Sequence, residues 1–191
     1  WRARVKEEVV ESIDLLGQQL DRLPADARGR ATAVLERRPQ LLAFADQPVG
    51  GPDGMLCTRH HGDLHLGQIL LARNDFLIID FEGEPSRPIE ARRARHTPLR
   101  DVAGMLRSFD YARWTALGRT TQGPGDAQRF ERLAAAWLAG TREAFLAGYG
   151  RATVDSGIFP SLEAARPLLA LLELEKATYE LRYELANRPG W

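Results

Sequence analysis

His61-Gly-Asp63-Leu-His65-Leu-Gly-Gln68, followed a short way on by Ile78-Ile-Asp80-Phe-Glu82-Gly83, is the stretch on which the fold turns. The first block has the spacing H-x-D-x-x-x-x-N with Gln in place of Asn, and the second is a stretched D-F-G. Either block alone arises easily by chance. Together, in this order, they frame two short apolar runs, Ile69 to Ala72 and Phe76 to Phe81, on either side of Arg73-Asn74-Asp75. Those three residues are turn formers, so the segment predicts a β-hairpin with a polar loop leading into it and a carboxylate at its exit. Leu56 to His60 is a third apolar run, just before the first block.

Outward from the hairpin the pattern is helical. Val5, Val9, Ile13, Leu16, Leu20 and Leu23 recur at threes and fours, which predicts an amphipathic helix over residues 2–23. Pro24 and Asp26 open a second helix to about Arg38, and Pro39 a short third one through Ala45. Gln47 to Gly54 reads as a loop. Residues 83–97 carry the basic cluster Arg92, Arg93 and Arg95 and room for one helical turn. Pro98 suits a first-turn position before a helix marked by Leu99, Val102, Leu106, Phe109, Arg113 and Leu117. Thr120 to Asp126 breaks the pattern before a long helix over 127–149, with Phe130, Leu133, Trp137 and Leu138 among its apolar positions. Ser161 is placed to cap a last helix from Leu162 to about Asn187. The expected fold class is mainly α with a small β-hairpin (α+β).

At 191 residues the chain is long enough for one sizeable domain. Lysine plus arginine balance aspartate plus glutamate at 26 each, so no net field recruits nucleic acid or an acidic membrane, and neither is an expected partner. Cys57 is the lone cysteine, which points to a reducing cytoplasm. The N-terminus carries no charged-then-apolar signal pattern. A chain that starts at Trp1 reads as a piece of a longer protein.

The chemistry explains the spacing of the two blocks. In phosphoryl transfer one carboxylate orients the attacking hydroxyl and takes its proton late, while an amide and a second carboxylate hold magnesium against the phosphates of ATP. Asp63, on a loop that Gly62 lets turn, is the expected base; a lone H-G-D aspartate would more often cap its own loop. Gln68 would present its side-chain oxygen to the metal, with a longer reach than Asn. Asp80, after Leu-Ile-Ile at a strand end, would be the second metal ligand, since hard oxygen donors suit magnesium. Glu82 and Glu84 either assist the metal or a substrate hydroxyl, or pair with Arg92 and Arg93.

His60, His61 and His65 also invite a zinc site, but no further imidazole or carboxylate follows at helical spacing. His61 is more economically a loop anchor beneath Asp63, and with His65 and Glu82 we place it on the substrate side of the site. Asp101 is expected to be structural, accepting amides of the loop or serving its own helix N-terminus. Lys176, Tyr179, Glu180 and Tyr183 fall at i, i+3, i+4 and i+7 of the last helix, on one face. Flat rings mixed with charged groups suit a sugar, against the alternative of a solvated face laced with ion pairs.

With these residues in view, the run His60 to Gln68, then Ile79-Asp-Phe-Glu-Gly-Glu-Pro85, then Pro98 to Tyr111, and the ending Glu175 to Pro189 resemble bacterial maltokinase, including the kinase domain fused to trehalose synthase. The likeness runs over most of the chain. It implies the C-terminal lobe of a eukaryotic-like kinase fold of the aminoglycoside-phosphotransferase type, spanning residues 1–191, that phosphorylates maltose at its anomeric hydroxyl with ATP and magnesium. It implies Asp63 as the base, Gln68 and Asp80 as metal ligands, and a sugar-contacting last helix, which adds weight to Lys176 and Tyr179. It further implies a trehalose synthase domain as a covalent partner. Nothing before residue 56 resembles the β-rich nucleotide-binding N-terminal lobe, so the chain on its own is expected to bind ATP poorly and to turn over little. The competing expectations are a kinase of the same fold for glucosamine, an aminoglycoside or choline, and a non-catalytic kinase-lobe module. Intact Asp63, Gln68 and Asp80 count against the module.

Overall fold

The computed structural model describes residues 2–49, 55–83, 88–119 and 124–188. Glu84, Pro85, Pro189, residues 50–54 of the expected loop and residues 120–123 of the expected break lie outside them. The chain divides into two compact units, residues 1–50 with 170–191, and residues 51–169.

The first unit is helical. Helix α1 (Arg2–Gln19) ends in a 3-10 turn, Leu20–Arg22, and is followed by α2 (Ala25–Glu36) and α3 (Arg38–Ala45). Pro24 and Pro39 stand at the starts of α2 and α3, where a missing N–H costs nothing. The apolar stripe of α1 is the core. Val5, Val9 and Ile13 pack with Ala45 and Leu171, and Leu16 with Leu23, Ala27, Ala31 and Leu185. Burying each of the valine, leucine and isoleucine side chains stabilises by about 1.5–3 kcal/mol. Ser12, fully buried on the same helix, satisfies its hydroxyl by donating to the carbonyls of Glu8 (2.6 Å) and Thr178 (3.3 Å).

The second unit carries the motifs. Strands β1 (Ile69–Ala72) and β2 (Asp75–Ile78) pair antiparallel with Ile69 opposite Ile78 and Ala72 opposite Asp75. The two-residue turn has positive φ at both Arg73 (52°) and Asn74 (64°), the backbone that a right-twisted hairpin requires. A short α4 (Ile89–Arg93) precedes α5 (Leu99–Arg119) and α6 (Pro124–Thr153). Leu99, Val102, Leu106 and Phe109 of α5 are buried, and Phe109 meets Phe145 of α6 edge-on at 5.6 Å between ring centres. Helix α7 (Leu162–Asn187) starts in this unit and continues into the first; Ser161 caps it, accepting the Ala164 N–H at 3.0 Å.

Two apolar segments find their places and one expected boundary moves. The apolar run Leu56 to His60 contributes one bridge, Thr58 with His96, and the Leu56 N–H donates to Ile158 O at 2.8 Å. Helix α6 is longer than 127–149 because Pro124 is accepted at its start, and it runs on to Thr153. Leu133 and Trp137, among the apolar positions of that helix, are about half exposed at 55% and 47%. No described helix is long and apolar enough to cross a membrane.

Candidate functional site

The loop from His61 to Gln68 is held along one face of α5. Asp101 grips its start, Oδ2 accepting the His61 N–H at 2.7 Å and Oδ1 the Gly62 N–H at 2.9 Å. Three residues on, Gly104 lets the chain pass: a Cβ there would stand 2.6 Å from Leu64 O. One turn further, Ser108 Oγ accepts the Leu66 N–H at 2.8 Å. The spacing 101, 104, 108 is a single helical stripe, and it meets the loop in order at 61–62, 64 and 66. Asp63 sits within this grip, half-buried.

His61 is buried and anchors the loop from below. Its Nε2–H donates to Ile79 O at 2.8 Å, its Nδ1 accepts the Asp63 N–H at 3.3 Å, and its ring lies against Phe81, 4.9 Å between centres. Gly62 takes φ +89°, and a Cβ there would approach Gly83 Cα to 3.3 Å, so the two glycines let the loop and the hairpin exit touch.

Beyond the loop, Ile79 N–H donates to Gln68 O at 3.0 Å, extending the hairpin by one rung. Asp80 then adopts φ +64°, a left-handed conformation that Asp tolerates better than most residues, and its Oδ2 accepts from the Gln68 side-chain amide at 2.9 Å. The two ends of the motif, far apart in sequence, thus meet side chain to side chain. Asp80 is exposed, so both groups face solvent. An amide and a carboxylate side by side fit magnesium, which takes one or two such oxygens and completes its shell with water and phosphate. Among the described residues no group of three or more His, Cys, Asp or Glu side chains gathers as a metal site, whereas zinc wants three or four.

The other expected residues are placed as follows. His65 stays inside the loop, its Nδ1 accepting the Gly67 N–H at 3.0 Å. Exposed Glu82 receives Arg92 on its backbone carbonyl, at 3.3 Å from Nη1. Lys176, Tyr179, Glu180 and Tyr183 belong to the other unit, with the Lys176 ammonium 5.0 Å from the centre of the Tyr179 ring and Tyr183 48% exposed. Tyr149 of α6 has its pKa raised, first by burial and then by the Asp101 carboxylate. Sequence reasoning passed over Gly104 and Ser108. A glycine inside an otherwise regular amphipathic helix was the available signal for the first.

The chain is similar to glucosamine kinases. That of Streptacidiphilus jiangxiensis is 31% identical over 192 residues, all of this chain and 39% of the relative. That of Mycolicibacterium smegmatis is 32% identical over 143 residues, 75% of this chain and 34% of the relative. Among solved structures, a glucosamine kinase in complex with glucosamine, ADP and inorganic phosphate superposes with a TM-score of 0.75 at 25% identity. A second glucosamine kinase, in crystal form B, gives 0.72 at 26%. They match 99% of this chain and 40% and 41% of their own. No family model matches. The fold is therefore that of part of a glucosamine-kinase-like structure, mainly helical with one small hairpin, and the chain spans about two-fifths of the length of these relatives.

Proposed function

We propose that this chain carries the acceptor-side loop and the metal ligands of an ATP-dependent sugar kinase. The observation that carries the proposal is the contact between Gln68 and Asp80 at 2.9 Å, beside a loop whose amides Asp101 clamps around Asp63. Glucosamine is the favoured acceptor, because the similar curated proteins and the superposed complex are glucosamine kinases. Maltose and its anomeric phosphate, with the fused trehalose synthase domain, rest on the motif resemblance alone.

Asp63 accepts the proton of the sugar hydroxyl as the phosphoryl group arrives, which for general-base help contributes on the order of 10²–10⁴ in rate. The Asp101 clamp holds the backbone of the loop that carries Asp63. Gln68 and Asp80 would hold magnesium, which would supply charge neutralisation at the phosphates. Lys176, Tyr179, Glu180 and Tyr183, on one face of α7, mix flat rings with charged groups, the chemistry that a sugar-binding face needs. The hairpin leaves Leu71 and Phe76, opposite each other on one face, exposed at 72% and 68%, with Ile78 on the same face at 45%. A patch of that kind is an interaction surface, and it suits the nucleotide-binding part that the longer relatives have room for.

The test supplies the protein, expressed from its complete reading frame, with ATP, magnesium and a panel of glucosamine, maltose, glucose and trehalose, and reads sugar phosphate by phosphorus NMR. Transfer to glucosamine that Asp63→Asn abolishes is the expected result. Transfer to maltose instead moves the acceptor to the other sugar and keeps the mechanism. A folded protein that phosphorylates none of the four ends the kinase proposal and leaves a binding module.

A further inference from the structure

His65 looks at first like one more polar residue of the loop, but its two ring nitrogens face different demands. A backbone N–H can only donate, so Nδ1, 3.0 Å from Gly67 N, is the acceptor and carries no proton. A neutral imidazole then has its proton on Nε2. That Nε2–H points at the Gln68 amide, 3.4 Å from its nitrogen, while the same nitrogen lies 2.9 Å from Asp80 Oδ2. With the amide turned this way Asp80 is satisfied and His65 confronts a donor with a donor. Turned the other way, the amide oxygen accepts from His65 and stands against the Asp80 carboxylate. Neither orientation suits all three groups, unless a cation lies between the amide oxygen and the carboxylate.

The ring is fixed where it is by its neighbour. A Cβ on Gly67 would come within 2.8 Å of His65 Cε1 and 2.9 Å of Nδ1, so glycine at that position is what lets the imidazole lie over the turn. From these contacts we propose that His65 is a positioning residue: it sets the Gln68 amide with its oxygen toward Asp80 and so prepares the pair for a divalent cation. This role rests on the sugar-kinase proposal for Gln68 and Asp80. A group that orients a ligand from outside commonly changes metal affinity by about 10–100-fold when removed.

His65→Asn separates the role from a structural one. Asparagine can still accept the Gly67 N–H, as a short side chain does at such a turn, but it cannot reach Gln68. Magnesium alone is titrated into the protein and followed by NMR through the Gln68 side-chain amide and the backbone amides of residues 66–80. In the Gln68→Glu variants, which have no such side-chain amide, the backbone amides report alone. The expected result is an unchanged melting temperature in His65→Asn with magnesium binding weaker by about tenfold or more. In a Gln68→Glu background, where both ends of the side chain are oxygen, the same substitution should change the affinity little. The long-range nitrogen spectrum of His65 should show the Nε2–H tautomer. An affinity that depends on Asp80, tested with Asp80→Asn, but not on His65 overturns this role alone. An affinity indifferent to Asp80→Asn overturns the proposed metal pair, and the role with it.

Discussion

Gly104→Ala tests whether the loop is held by close backbone contact with α5. The added methyl carbon would stand 2.6 Å from Leu64 O, and ordinary contact begins at 3.4 Å, so helix and loop must part by about 0.8 Å. The obstacle is a backbone carbonyl, which cannot swing aside as a side chain can. Overpacking of this kind costs about 1–3 kcal/mol. Alanine returns part of that, because replacing a mid-helix glycine gains about 1 kcal/mol. The net expectation is a loss of up to about 2 kcal/mol, small enough to leave the protein folded. Gly140 in α6 supplies the control: nothing lies within 4 Å of its would-be Cβ, so Gly140→Ala should report the helix gain alone and stabilise by about 0.5–1 kcal/mol. Urea unfolding of both variants isolates the clash as the difference between them, and amide shifts should move at Asp63 and Leu64 in the first variant only. Gly104→Ala stabilising as much as Gly140→Ala would refute the close approach. In the sugar-phosphorylation assay, a misplacement near 1 Å should cost on the order of a hundredfold.

Asp101→Asn keeps the shape but turns one of two acceptors into a donor, so either His61 N–H or Gly62 N–H loses its partner. A loss of about 1–3 kcal/mol is expected by urea unfolding, and a value near zero would mean that water serves the loop equally well. The raised pKa of Tyr149 has a consequence at alkaline pH: the unfolded phenol loses its proton near 10 while the folded one keeps it, so the contribution is intact below pH 10 and falls away as pH rises through the raised value. Tyr149→Phe should flatten the alkaline decline in melting temperature, and Asp101→Asn should bring the Tyr149 titration back toward its ordinary position.

Elements governed by neighbours in sequence were legible, and those governed by distant backbone were not. The threes and fours of α1 predicted the residues that form its core, and Pro24, Pro39, Pro98 and Ser161 marked helix starts because each acts within one turn. The hairpin followed from the turn formers Arg73-Asn74-Asp75, although Asp75 itself pairs with Ala72 and leaves a two-residue turn. By contrast, α6 shows that an apolar stripe says which residues share a face but not what covers it, since Trp137 and Leu133 lie on the stripe and remain half exposed. Leu56 to His60 was legible only as an apolar run, because its partners lie far along the chain: His96 for Thr58 and Ile158 for Leu56. Asp101 carried two structural options that local sequence cannot separate. The choice is made by a loop some forty residues away in the chain.

Asp63 and the Gln68–Asp80 pair are held by different means, and this separates what mutations in each should do. Asp101, Gly104 and Ser108 lie on a helix whose rise is about 1.5 Å per residue, so seven residues provide about 10 Å of rigid edge. The loop from His61 to Leu66 is fastened to that edge at three points, which fixes the backbone of Asp63 without using its carboxylate. Asp63→Asn should therefore remove chemistry and spare stability. Gln68 and Asp80 have no such edge. They depend on the hairpin rung at Ile79 and on a left-handed aspartate, a conformation that costs on the order of 1–3 kcal/mol and persists only where its surroundings require it. Asp80→Gly would relieve that strain while deleting the proposed ligand, so it should leave stability equal or higher and magnesium binding lost. A protein in which Asp80→Gly instead destabilised the fold would have its hairpin exit held by the carboxylate, and the strained turn would then be structural.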